Sequence, residues 1–88
     1  MDVVVGGTYK HFKGNLYKVL MIGYDSETNN ENLKKLVIYE ALYGDHKIWV
    51  RPYDMFVSKI DKEKYPDINQ EYRFELISND WSWRYYFN

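Results

Sequence analysis

The sequence predicts an all-β fold, and three observations carry that expectation. Tyr, Phe, Val, Ile and Leu come in short runs bounded by Gly, Asn and Asp; several runs alternate in period two; and no stretch holds a helical period for long. The chain of 88 residues is expected to form one domain, near the lower end of what folds without staples. Ten Tyr, four Phe and three Trp allow a small core to be built from a few large pieces, with the polar tips of Tyr and Trp left to find partners.

The elements follow in order. "YKHF" (9–12) is a short first strand, and Gly14-Asn15 suits the positive φ values of a tight hairpin turn. Alternation here sets Tyr9, His11 and Lys13 on an outer face and Phe12 in the core. "LYKVLMIGY" (16–24) is the second strand, with Tyr17, Val19 and Met21 on its apolar face and Lys18 on the wetter one. The polar, Asn-rich "DSETNNENLKK" (25–35) is a loop, after which "LVIYEALY" (36–43) forms the third strand. Val37, Tyr39, Ala41 and Tyr43 share one of its faces, and Glu40 lies on the other. Pairing across the loop would make Lys18 and Glu40 near cross-strand neighbours.

"GDHK" turns the chain into "IWVR" (48–51), and Pro52, lacking an amide proton, stops regular pairing. "PYDMF" (52–56) has the length of a single 3₁₀ turn, "VSKI" resumes extended structure, "DKEKYPDINQE" (61–71) is a polar linker, and "YRFELI" (72–77) is a further strand with Tyr72, Phe74 and Leu76 inward. Ala41, Val50, Met55 and Phe56 are the expected core residues of the middle stretch. Three meandering strands, one helical turn and a short closing strand give the order of a small SH3-like barrel of about five strands, whose closure removes exposed sheet edges. At the end of the chain Trp81, Trp83, Tyr85 and Phe87 recur at period two. That segment is either a last strand laid over the barrel or an edge used for self-association, and a homodimer through residues 81–87 is the corresponding expectation.

"GTYKHFKGNLYKVL", "YEALYGD", "WVRPYDMF" and "RFELI", in this order and spacing, resemble the small bacterial domain of unknown function 1653. The resemblance covers Gly7 to about Ile77 and implies an all-β fold; it brings no activity with it. It divides the single domain 1–88 into a family-like barrel (7–77) and an aromatic C-terminal extension (78–88). The "DKEKYPDINQEY" linker is longer than the family pattern, and the aromatic end lies outside it.

Composition narrows the function classes. The absence of cysteine excludes disulfides, thiolate nucleophiles and Cys-ligated zinc. "MDVVVGG" has neither a basic leader nor enough apolar residues for a membrane span, so a cytoplasmic address is expected. Twelve Lys and Arg against thirteen Asp and Glu leave a net charge of -1, which argues against binding a nucleic-acid backbone while leaving room for a local basic site.

Chemistry-bearing residues are few. His11 and His46 fall short of the three or more ligands that a hydrolytic metal site draws on, and neither a cofactor nor a metal is implied. Asp45 and His46, adjacent in sequence, point to opposite faces of an extended chain and are read first as a turn with a solvated His. Trp49 and Arg51, two residues apart, project together and make a planar, cationic surface suited to a carboxylate, a phosphate or a flat ring; the plainer alternative has Trp49 covering a barrel end. The expectation is a non-enzymatic binding module that recognises an unknown small molecule or peptide through Tyr43, Asp45, His46, Trp49 and Arg51, joined by Tyr9, His11 and Lys13. The alternative is a small hydrolase or metal-dependent enzyme using His11, Asp45 and His46.

Overall fold

The computed structural model describes residues 2–28 and 31–78. Five antiparallel strands, β1 (Thr8–His11), β2 (Leu16–Tyr24), β3 (Lys35–Ala41), β4 (Ile48–Pro52) and β5 (Phe74–Ser78), form one sheet in the order β4-β3-β2-β1-β5. One helical turn, α1 (Tyr53–Phe56), joins the last two. The sheet is all-β and open, with β4 and β5 as its edges. Of the expected aromatic extension, 78–88, only Ser78 is among the described residues, and the homodimer expected through residues 81–87 lies outside them.

The β1–β2 hairpin closes through a three-residue loop rather than a Gly-Asn pair. The Gly14 amide donates to the His11 carbonyl at 2.8 Å, Gly14 takes φ 110°, and the His11 amide donates to the Asn15 carbonyl at 2.9 Å. This is a tight turn followed by one glycine in a conformation that a side chain would oppose. Between β2 and β3 the register places Lys18 opposite Glu40, as the charges on two otherwise apolar strands predict.

A bulge between Val19 and Met21 then changes the phase of β2. An extra residue in one strand of an antiparallel pair shifts every later side chain to the other face. Val19 is therefore buried, Met21 is 54% exposed instead of sharing its face, and Ile22 packs against the core in its place.

The core is aromatic at its centre. Phe56 of α1 and Phe74 of β5 stack with ring centroids 4.1 Å apart and planes within 5°, and Tyr39 meets both edge-on at 5.3 and 5.7 Å. Tyr9, Val19 and Val37 complete the buried cluster. Tyr9 is 1% exposed, so its expected place on the outer face is wrong: the β1 register puts it opposite Tyr17 on the inner face. Its hydroxyl accepts from the Val4 amide at 2.9 Å, and burial raises its pKa. Phe12, expected in the core, is instead half-buried beside Tyr65.

The β4 phase is inverted in the same way. Trp49 pairs with Tyr39 and Arg51 with Val37, which sets both on the inner face and turns Val50 outward, 59% exposed. Met55 is also exposed, at 49%, because α1 presents only Phe56 to the core. The turn itself closes with an α-type bond from the Val57 amide to the Tyr53 carbonyl at 3.1 Å, so the expected 3₁₀ turn is a single α-helical one.

After α1 the chain reaches toward β5. The Arg73 amide donates to the Ser58 carbonyl and the Ile60 amide to the Glu71 carbonyl, both at 2.9 Å, around an isolated bridge between Lys59 and Tyr72. The polar stretch expected as a linker is folded locally: the Lys62 ammonium donates to the carbonyls of Ile68 and Gln70. Among the described residues no helix is long and apolar enough to cross a membrane.

Candidate functional site

The two edge strands face one another across the opening of the curved sheet, and the side chains on their inner faces meet there. The Arg51 guanidinium of β4 lies over the Phe74 ring of β5, 5.6 Å from its centroid, and Arg51 Nε donates to the Tyr39 hydroxyl at 3.2 Å. His11, the last residue of β1, stands beside Phe74, with ring centroids 4.9 Å apart. A groove runs past these two side chains in two compartments.

The first compartment, about 210 Å³, is lined by His11, Tyr17, Tyr39, Tyr43, Trp49, Arg51 and Phe74. Strand register explains the set: Tyr17 and Tyr39 are inner-face residues of β2 and β3, and Trp49 follows from its pairing with Tyr39. Trp49 keeps 47% of its surface exposed because it sits on an edge strand with no further neighbour among the described residues. The Tyr17 and Tyr43 hydroxyls share a hydrogen bond at 2.9 Å. Burial, and then the bond to Tyr43, push the Tyr17 pKa up to about 12, so this hydroxyl stays neutral beside the Arg51 cation.

The second compartment, about 390 Å³, is lined by His11, Phe12, Lys13, Arg51, Ile60, Asp61, Lys64, Tyr65 and Arg73. Among the described residues four cations and one carboxylate stand on this wall, in a chain whose net charge is -1. The cations are held by their surroundings. Lys13 lies over the Phe12 ring at 5.8 Å, Lys64 over Tyr65 at 5.5 Å, and Arg73 Nε donates to the Ser58 hydroxyl at 3.2 Å. Among the described residues none of the four forms an ion pair with a carboxylate.

His11 belongs to both compartments. Its Nδ1 accepts from the Lys13 amide at 3.1 Å, which leaves Nε2 to carry the proton of the neutral ring. Burial first, and then the positive charges of Arg51, Arg73 and Lys13, lower its pKa from 6.5 to about 4. At neutral pH the groove therefore offers a neutral imidazole among cations.

Of the residues expected from the sequence, the structure gathers Tyr43, Trp49, Arg51, His11 and Lys13 along this groove. Tyr9 lies beneath it in the core. Asp45 and His46 are elsewhere: Asp45 pairs with Lys47 at 3.4 Å, and His46 Nδ1 meets Glu40 Oε2 at 3.1 Å. Glu40 follows Tyr39 along β3 and so faces the other side of the sheet. His11 is thus not brought together with Asp45 and His46, the set required by the hydrolase alternative, and no three His, Asp or Glu among the described residues are placed to hold a metal ion.

Tyr17, Tyr39, Phe74, Lys64, Tyr65 and Arg73 are groove residues that the sequence reading did not assign to a site. Two signals were available. Tyr17 and Tyr39 sit on the same faces as Val19 and Val37, so any aromatic site on that side must include them. Tyr65 is the one aromatic residue in the polar stretch 61–71, an anchor where a free linker needs none.

The model of one protein family, described as a protein of unknown function (DUF1653), matches residues 7–76 of the chain. No curated protein and no solved structure matches it.

Proposed function

The chain belongs to the family of proteins of unknown function DUF1653, and from that premise we propose that it is a non-enzymatic binding module whose ligand enters the groove between β4 and β5. The observation that carries this reading is the shared wall of the groove. Five aromatic side chains, Tyr17, Tyr39, Tyr43, Trp49 and Phe74, line one compartment, which shares His11 and Arg51 with an adjoining cationic one. Flat apolar surfaces beside fixed hydrogen-bond donors are the usual make-up of a small-ligand site.

The same reading treats the sheet as the open form of an SH3-like barrel. What supports it is the bridge between residues 58–60 and 71–73 and the Arg51–Phe74 contact, which span the gap between the sheet edges. In such barrels peptide ligands lie on aromatic rings beside the helical turn, an analogy of fold alone. A cytoplasmic address, with no cysteine in the chain, and a homodimer through residues 81–87 are parts of the proposal that rest on sequence.

Phenol, a small neutral ring, is a suitable first probe, followed by amide and indole NMR shifts. Shifts concentrated at Tyr17, Tyr39, Tyr43 and Trp49, and lost in Trp49→Ala with the fold intact, are expected. Shifts scattered over the chain, or retained in that variant, would remove the basis for the site. If Trp49→Ala instead unfolds the chain, Trp49 is structural and the reading fails there too.

A further inference from the structure

Resting on that reading of the groove, we propose that its natural ligand is a small molecule in which a flat ring carries a phosphate group, with the ring in the tyrosine-lined compartment and the phosphate among Lys13, Arg51, Lys64 and Arg73. The two compartments adjoin, since His11 and Arg51 line both, and the proposed ligand spans the two.

Assembling four cations beside a half-buried imidazole costs electrostatic free energy, because like charges repel more strongly where water is partly excluded. Among the described residues Asp61 is the only carboxylate on the wall. A single carboxylate on the ligand would leave most of this charge unmatched, whereas a phosphate monoester carries close to two negative charges at neutral pH. The donors also suit it. Arg51 spends Nε on Tyr39, which holds its planar fork in place. Arg73 is fixed through Ser58, whose hydroxyl in turn donates to the Met55 carbonyl at 2.7 Å. His11 Nε2–H adds a neutral donor on the boundary between the two compartments. The ring side is specified by Tyr17, Tyr43 and Trp49, whose faces and edges accept a planar group.

Four probes separate the parts: phenyl phosphate, benzoate, phenol and inorganic phosphate, each titrated by NMR and calorimetry. Phenyl phosphate is expected to bind at least about tenfold more tightly than phenol or benzoate, with the advantage falling as salt is added. The double change Lys13→Gln with Lys64→Gln removes two side chains that carry no packing in the core, and it is expected to abolish that advantage while phenol binding is unchanged. Arg73→Gln, checked for folding, is expected to do the same.

Equal binding of phenol and phenyl phosphate overturns the phosphate assignment and leaves the groove as a ring site. Equal binding of benzoate and phenyl phosphate overturns it in favour of a carboxylate. An advantage that survives both sets of changes places the anion elsewhere and also overturns it. Binding of none of the four overturns this inference and the ligand-binding reading together.

Discussion

Protonation of His11 should destabilise the fold, and the size of the effect can be worked from its surroundings. Its pKa is lowered from 6.5 to about 4 by burial and then by Arg51, Arg73 and Lys13. Lys64 and Asp61 also line its cavity, and Tyr17, Phe12 and Phe74 pack on its ring. Between those two pH values the unfolded chain binds more protons at this position than the folded one, so stability rises with pH. The contribution is intact above about pH 6.5, declines as pH falls, and is gone below about pH 4. Each pKa unit is worth about 1.4 kcal/mol. Because the ring is partly open to solvent, screening reduces the total to about 1–2 kcal/mol.

His11→Phe keeps the ring contacts with Phe12, Tyr17 and Phe74 and removes the titration. Urea unfolding of both proteins across this pH range isolates the effect, since every other ionisable group is common to the two. The wild type should lose about 1–2 kcal/mol more than the variant on going from neutral pH to about pH 4. Parallel stability curves, or a His11 imidazole that titrates by NMR at or above 6.5, would refute the reasoning.

Two further outcomes follow from the packing, and a third from the sequence. Gly7→Ala would bring its new Cβ to 2.8 Å from Leu76 Cδ1 and 3.0 Å from the Val4 carbonyl, so a loss of about 1–3 kcal/mol is expected in urea unfolding. Phe56→Ala removes half of the central stack and should cost about 3–5 kcal/mol or prevent folding, whereas Val50→Thr on the outer face should stay within about 0.5 kcal/mol; circular dichroism melts compare them, and similar losses would contradict the β4 orientation. Deletion of residues 79–88 should reduce the solution mass from that of a dimer to that of a monomer, and an unchanged oligomeric state removes the tail from the proposed interface.

The strands are legible in the sequence where a charge marks one face. β2 begins at Leu16 and ends at Tyr24, as its apolar run predicts, and Lys18 meets Glu40 because each is the charge that breaks its apolar strand. Face assignment fails where a charged residue and an aromatic one fall in the same alternating set. In β1 the choice lay between Tyr9 with His11 and Lys10 with Phe12; in β4 it lay between Trp49 with Arg51 and Val50. Aliphatic character favoured Val50, yet register with Tyr39 and Val37 decides the matter, and register is a property of two strands. The bulge after Val19 is equally invisible in one strand alone.

The groove is harder to read for a related reason. Trp49 and Arg51 are close in sequence and their co-projection is visible there, but Phe74 and Arg73 reach them only because β5 pairs with β1 on the far side of the sheet and the sheet curls. His46 drew attention as a histidine in a turn. It occupies that turn with φ 55°, a left-handed conformation uncommon for a side-chain-bearing residue, and its ring is occupied by Glu40. It stands in the turn and in the hydrogen bond to Glu40, away from the groove.

The most direct measurement is the set of intermolecular NOEs from the ring protons of bound phenyl phosphate. Contacts to Tyr17, Tyr43 and Trp49, with amide shifts at Lys13 and Arg73, are expected for a ligand lying along the inner face. Contacts instead to Met21, Ile48 or Val50 on the outer face, or none to the protein at saturating probe, would contradict a ligand site between β4 and β5.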